Sequence, residues 1–433
     1  MINKFENEND FFEFTTVMSE RGGVFNANNT DIKNVVIKII DDIVDSDDRD
    51  ETVKKYTTKF DCPNAKYYDV PEEVIKEAYN KADTDFIDAL KRCKENIETF
   101  HIKQKREGYT IKQENGVILK QIIRPLKRVG IYVPGGTAAY PSSVLMNAIP
   151  AKIAGVKEII MVTPPQKDGT PNPNILAAAK LCGIDKIFLC GGTQAIAALT
   201  IGTEKIPSVD KIVGPGNIYV ATAKKILFGL IDIDMIAGPS EIMIIADETA
   251  NPVFVAADLL SQAEHDVLAS AVLITTSEAL ANAVTVEIEK QLSVLPRKNF
   301  AEESLKNYGA IFVVNNIDEA VKWANLIAPE HLEVMTKNPL ELEEKLVNYG
   351  SLFLGEYSPE PLGDYFAGPN HVLPTNGTAR FSSPLSVDDF IKKSSSIYYT
   401  KEALKEAADA ITLIAGREGL EAHANSIKVR CEN

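Results

Sequence analysis

Gln262 and His265 stand three apart at the end of an apolar helical run that begins near Pro252. On a helix such residues share a face, so an amide oxygen and an imidazole nitrogen can be aimed at one ion. Two donors do not complete a coordination sphere, and the chain has only five histidines: His101, His265, His331, His371 and His423. A second arrangement, Glu330 beside His331 after Pro329, sets a carboxylate next to the side chain that titrates near neutral pH. That pairing suits acid and base work. Successive strand residues face opposite ways, so the two reach one site only from a turn, which Pro329 favours. Asp364, in a glycine-rich loop, and His423, near the C-terminus, extend the set to two histidines, one carboxylate and one amide oxygen. Such a mixed set suits zinc, with manganese and cobalt also open.

Each motif also has an ordinary reading. Gln262 and His265 can be a capped helix end, Glu330 and His331 an exposed polar turn, Asp364 a loop brace, and His423 a solvated helix residue. His101, on a charged helical stretch, reads as a surface or partly packed histidine. The run Asp45 to Glu51 reads as a solvated helix start.

The elements that must hold these side chains repeat. From Arg128, a short apolar run, a glycine turn and a helix follow one another: Val129 to Gly136 with Ser143 to Ile149, Glu158 to Thr163 with Ile175 to Lys180, Lys186 to Gly192 with Ala195 to Leu199, and Lys211 to Asn217 with Tyr219 to Lys225. A second series begins after Ala237-Gly-Pro-Ser240-Glu241 and runs to Ser351-Leu-Phe-Leu-Gly355. Strand and helix units in series predict parallel sheets covered by helices, hence an α/β protein, with ligands at the carboxyl ends of the strands where the glycine turns fall. No glycine turn has the GxGxxG spacing, so the pattern alone is a weak nucleotide signal. Residues 1 to about 125 read as polar helices and turns. From about Ser386 the tail reads as helical.

A chain of 433 residues that is 45% hydrophobic exceeds the size of a single core, so two or more domains are expected. The net charge of −15 argues against a nucleic-acid partner or an acidic membrane surface. No signal-like start and no membrane-length apolar run is present, and five cysteines without paired spacing predict reduced thiols in the cytoplasm.

Taken together and in order, GIYVPGG, GGTQAIAAL, VGPGN, AGPSE, LLSQAEH, APEHLEV, GDYFAGPNHVLPT and EGLEAHANS resemble the histidinol dehydrogenase family from about Val129 to the end. The resemblance implies two parallel-sheet, incomplete Rossmann-like domains with helical N-terminal and C-terminal extensions. It divides the chain into an arm (1–27), a first α/β domain (28–131 with 240–382) carrying most metal and catalytic residues, a second (132–239) giving NAD contacts, and a tail (383–433). It implies oxidation of L-histidinol through L-histidinaldehyde to L-histidine with two NAD reduced in succession, the last step of histidine biosynthesis. One Zn2+ per subunit would be held by Gln262, His265, Asp364 and His423, and would orient the substrate. The catalytic pair would be Glu330 and His331. Ser240, His371 and Glu418 would be further substrate contacts, and Tyr132, Gln194 and Asn217 NAD contacts. It also implies a homodimer with shared active sites, Glu418 and His423 coming from the second subunit. These two stand five apart, roughly 140° round a regular helix, so a break at Gly416 or Gly419 is expected. Cys190, at the end of an expected strand, offers a competing thiolate route to the acid. A relative acting on another alcohol, such as a hydroxylated sulfonate, a zinc hydrolase using Glu330, and a non-catalytic zinc protein are the alternatives.

Overall fold

All-parallel sheets are buried on both faces, so their strands read as unbroken apolar runs rather than as alternation. Two such sheets form here. In the computed structural model, residues 2–5, 8–21, 30–66, 68–135, 139–184 and 186–432 are described. Gly136 of the first glycine turn and residues 22–27 of the expected arm lie outside the described residues.

The strands are β1 (Asn3–Phe5), β2 (Tyr109–Lys112), β3 (Ile118–Pro125), β4 (Arg128–Tyr132), β5 (Glu158–Thr163), β6 (Lys186–Leu189), β7 (Lys211–Val213), β8 (Asp232–Ile233), β9 (Glu241–Ala246), β10 (Ser270–Thr275), β11 (Gly309–Val313), β12 (His331–Met335), β13 (Ser351–Leu354) and β14 (Ile391–Tyr398). One parallel sheet has the order β6-β5-β4-β7-β8 and the other β1-β11-β10-β9-β12-β13. Both belong to one compact unit, Met1–Gln104 with Lys127–Phe390. Every residue of β9 and of β10 is buried.

The N-terminal third is tied into both sheets. Val36, Ile39, Ile40 and Ile43 of the helix Thr30–Val44 share a core with Ile160, Phe188 and Leu199 around the first sheet. Asp48 caps the helix Arg49–Phe60 by accepting from the Glu51 N–H; the charge run is a helix start. One member departs from that reading: Asp50 is buried and accepts from Tyr68, Thr203 and the Lys205 N–H. Ahead of these helices β1 pairs with β11 and forms the edge of the second sheet, and Phe11, Phe14 and Met18 of the helix Glu8–Glu20 pack with Phe312 and Trp323. The Phe11 ring stacks on Trp323 with centroids 4.2 Å apart.

The second unit is Lys105–Leu126 with Ile391–Asn433. There β14 pairs antiparallel with β3 over eight residues, and β2 pairs with the other edge of β3. The tail is therefore not helical from Ser386, as its sequence predicts; β14 comes first and the helices Lys401–Arg417 and Glu421–Glu432 follow. Ile391-Lys-Lys-Ser-Ser-Ser-Ile-Tyr398 lacks period-two alternation because the strand is mostly exposed on both faces, so no pattern marks it. Gly419, at φ +74, makes the expected break between the two helices, while Gly416 remains helical. No helix among the described residues is long and apolar enough to cross a membrane.

Candidate active site

In a strand-helix-strand unit the helix runs back against the strands, so its C-terminal end lies at their amino ends. The helix Pro252–Ala263 joins β9 to β10 and carries Gln262 at that end. Ser240 directly precedes β9, and His331 is the first residue of β12, in register with Ile242 of β9. A cavity of about 550 Å³ collects Ser240, His265, Glu330, His331, Asp364 and His371 here. Its opposite wall includes Pro134, Pro215, Gly216 and Asn217, which follow β4 and β7. The expectation of carboxyl-end ligands therefore holds for the first sheet only. The second sheet presents its amino ends, because the helix ends and turns with donor residues all fall there.

Glu330 and His331 reach one site as the sequence requires, from a bend that leads into β12. Two residues earlier Ala328 adopts φ +53, ψ 62 as the left-handed cap of the helix Ile317–Ile327. A left-handed conformation costs a non-glycine residue roughly 1–2 kcal/mol, and here it redirects the chain into Glu330. The two side chains do not bond to each other; His331 Nδ1 lies 3.7 Å from Glu330 Oε2. Both bind the backbone of Glu241, whose N–H donates to Glu330 Oε2 at 2.9 Å and whose carbonyl lies 2.9 Å from His331 Nδ1. A carbonyl only accepts, so Nδ1 carries the proton and Nε2 holds the lone pair. Burial lowers the His331 pKa, against the pull of nearby Asp364, so the ring is neutral at pH 7. Burial raises the Glu330 carboxyl well above the usual range; the Glu241 N–H opposes this, and the charges of Glu241 and Asp364 add to it.

Nε2 of His331 is buried without a hydrogen-bond partner. It lies 3.9 Å from Glu360 Oε1 and 4.0 Å from Asp364 Oδ1. His371 sits on the far side of Asp364, with Nδ1 3.1 Å from the Asp364 carbonyl and Nε2 3.4 Å from Ser143 Oγ. Glu360 is a residue that the sequence reading missed. It is buried, and burial followed by the Asp364 charge raises its pKa strongly. Its spacing of four from Asp364 on the helix Glu360–Tyr365 is the signal that could have revealed it. Behind it the Glu360 N–H donates to Glu333, which shares buried space with Asp258, and desolvation raises both of those carboxyls too.

Gln262 is fully buried, and neither its Oε1 nor its Nε2 has a hydrogen-bond partner. An unpaired buried amide costs about 1–3 kcal/mol, so these atoms fit a group that would satisfy them. His331 and Asp364 set an imidazole and a carboxylate on the cavity, and donors of these kinds together with an amide oxygen suit a zinc ion. Among the described residues, the His, Cys, Asp and Glu side chains that converge closely enough to hold a metal are His331, Glu360 and Asp364, with donor atoms within 4.8 Å of one another. Of the four ligands expected from the sequence, Asp364 belongs to that group. His265 is exposed on the same cavity, and His423 and Glu418 are exposed on the second unit.

The three residues expected at NAD are placed differently. Asn217 lines the cavity and caps the helix Ile218–Leu227 through Oδ1. Tyr132 and Gln194 are buried side by side with a shared support: the Gly192 N–H donates to Tyr132 Oη at 3.2 Å, while Gln194 Nε2 and the Gly191 N–H donate to Asp61 Oδ2 at 3.0 and 2.8 Å. The turn after β7 requires glycine, since Gly214 has φ +107 and a Cβ there would fall 2.1 Å from the Tyr132 carbonyl. Cys190 is fully buried, and desolvation raises its thiol pKa well above the ordinary value, which disfavours a thiolate there. His101 is fully buried as well, with Nδ1 2.7 Å from Gln104 Oε1, deeper than the surface or partly packed histidine that its sequence context predicts.

Two parallel sheets bordering one cavity, with a buried acid and imidazole pair and donors suited to a metal, define an α/β enzyme. The sequence matches the histidinol dehydrogenase family profile over residues 25–431. It is 58% identical over 415 residues to histidinol dehydrogenase of Clostridium acetobutylicum, covering 95% of each chain, and 55% identical over 417 residues to that of Listeria innocua, covering 96% of this chain and 97% of the other. The crystal structure of histidinol dehydrogenase from Elizabethkingia anophelis matches with a TM-score of 0.91 at 40% identity, over 100% of this chain and 98% of that one. The chain belongs to the histidinol dehydrogenase family.

Proposed function

We propose that the protein oxidises L-histidinol to L-histidine through L-histidinaldehyde, in two successive NAD-dependent hydride transfers that end histidine biosynthesis. The observation that carries this reading is a neutral His331 whose bare Nε2 opens toward Asp364 beside a base-capable Glu330, in a chain of this family. His331 Nε2 takes the hydroxyl proton of the alcohol. Glu330, held by the Glu241 N–H, accepts a proton from water so that the water adds to the aldehyde, and its raised pKa equips it for that exchange. His331 returns its proton to the aldehyde oxygen as the water adds, and its Nε2 then serves again as base toward the hydrate. When bound, NAD accepts the hydride in each oxidation and zinc holds the substrate in place.

Gln262, His265 and Asp364, with His423 of a second subunit, would hold the zinc; the unpartnered amide of Gln262 supports that assignment. Ser240, His371 and Glu418 would contact the substrate, and Tyr132, Gln194 and Asn217 the NAD. A homodimer follows from the same reading, since exposed Glu418 and His423 are then available to complete a neighbouring site. The proposed division gives residues 28–131 with 240–382 most of the metal and catalytic groups, residues 132–239 the NAD contacts, and residues 383–433 to the shared site. The protein would work in the cytoplasm, where its five free cysteines stay reduced.

The convergence of His331, Glu360 and Asp364 favours one alternative, in which His331 Nε2 binds the metal and is not the base. Zinc content separates the two: His331→Gln keeps zinc in the first reading and loses it in the second. The function itself is tested by product stoichiometry. Two NADH and one L-histidine per L-histidinol are expected, and one NADH with histidinaldehyde accumulating would refute it.

A further inference from the structure

The catalytic pair is held by a residue that lies outside both sheets. Arg21 follows the helix Glu8–Glu20, and its guanidinium is fully buried. Nη1 donates to the carbonyls of Leu268 at 3.0 Å and Ser240 at 3.4 Å; Nη2 donates to the carbonyl of Pro239 at 3.3 Å and to Glu241 Oε1 at 2.5 Å. One planar fork therefore grips three consecutive residues of the turn into β9 and ties them to the segment before β10.

Glu241 passes that grip to the chemistry. Its Oε1 accepts from the Asn376 N–H at 3.2 Å and its Oε2 from the Glu330 N–H at 3.3 Å. Its own N–H holds the Glu330 carboxylate, and its carbonyl holds His331 Nδ1. Every polar group of Glu241 thus faces Arg21, Asn376 or the Glu330–His331 bend. A buried ion pair is weak evidence for stability, since well-packed apolar residues often serve as well. What it supplies here is direction: a guanidinium with fixed donor geometry fits only one placement of the turn.

We infer that Arg21 is a positioning residue for this reaction: through Glu241 it fixes the Glu330 carboxylate and the Nδ1–H tautomer of His331, so the N-terminal segment is part of the catalytic apparatus. This rests on the reading of Glu330 and His331 as the catalytic pair. Removing the fork frees the carbonyls of Pro239, Ser240 and Leu268 and the Glu241 Oε1 that it holds, and the bend carrying both residues can then shift. A misplacement of about 1 Å costs roughly 100-fold in rate.

The test uses the full-length zinc-loaded enzyme with L-histidinol and NAD. Arg21→Met should lower kcat by about 100-fold with KM changed by less than about threefold, since no substrate contact is removed. Side-chain 15N NMR of His331, assigned with His331→Gln, reads the positioning without turnover. It should show Nδ1–H in the wild type and a mixture of tautomers in Arg21→Met. Should Arg21→Met not fold, Arg21→Lys decides by the same two readouts, because a single ammonium cannot reproduce the fork. An unchanged kcat and unchanged tautomer in a folded variant overturn the inference. If the wild type does not oxidise L-histidinol but the tautomer still responds to position 21, the substrate reading fails and the positioning role stands.

Discussion

Replacing Glu330 by Gln tests the division of labour within the catalytic pair. The substitution keeps an oxygen that can accept the Glu241 N–H, at a position where that bond is 2.9 Å. It is also nearly isosteric, so the bend into β12 should survive. What disappears is the capacity to take a proton from water. A positioned general base contributes roughly 10²–10⁴-fold, or about 3–5 kcal/mol of barrier, and that loss should fall on aldehyde hydration. Alcohol oxidation keeps its own base, His331 Nε2, and should fall by less than about tenfold. The pH profile carries the same signature. Burial raises the Glu330 pKa, so the base form is present only above that raised value. The second oxidation should therefore gain rate as pH rises through it, and Glu330→Gln should lose that rise. Single-turnover NADH formation from L-histidinol, compared with NADH formation from added L-histidinaldehyde, separates the two steps. Equal losses in both would refute the role assigned to Glu330.

Two further predictions bear on the support of the site. Cys190→Ala should retain L-histidinol oxidation, because the thiol is buried and its thiolate disfavoured; loss of rate by orders of magnitude in a folded variant would revive a thiolate mechanism. Asp61 is held at a pKa of about 6 by burial, against hydrogen bonds from Gly191 and Gln194, and the unfolded chain releases this proton near pH 4. The folded state thus keeps a proton that the unfolded state has lost, and the stability present below pH 4 is lost as pH rises to about 6, by about 1–3 kcal/mol. Asp61→Asn should remove this decline in urea unfolding at pH 4.5 and 7.5, and parallel slopes in the two proteins would contradict it.

The repeated strand and helix units were legible because a parallel strand buried on both faces announces itself as an apolar run, as β9 and β10 do. Chemically loaded pairs such as Glu330 with His331 were legible from residue type and spacing. The buried acids were not: Glu241, Glu333 and Glu360 look like ordinary surface glutamates, since the partners that permit their burial lie far away in sequence, Arg21 among them. The short edge strand β1 and the polar strand β14 are fixed by neighbours and not by their own patterns. The amino-end position of the second sheet's site was hidden for a related reason. Glycine turns at the carboxyl ends are visible in sequence, whereas the meeting of Ser240, His265 and His331 on one cavity exists only once the helix Pro252–Ala263 has folded back.

In the proposed function, a metal held beside Glu330 and His331 is needed for oxidation of L-histidinol. The direct measurement follows NADH formation and bound zinc together, in the protein as purified, after chelation and after zinc return. Activity should fall with the zinc, return with about one Zn2+ per subunit, and not be restored when Gln262 is replaced by Leu. Full activity in protein shown to be metal-free would contradict it.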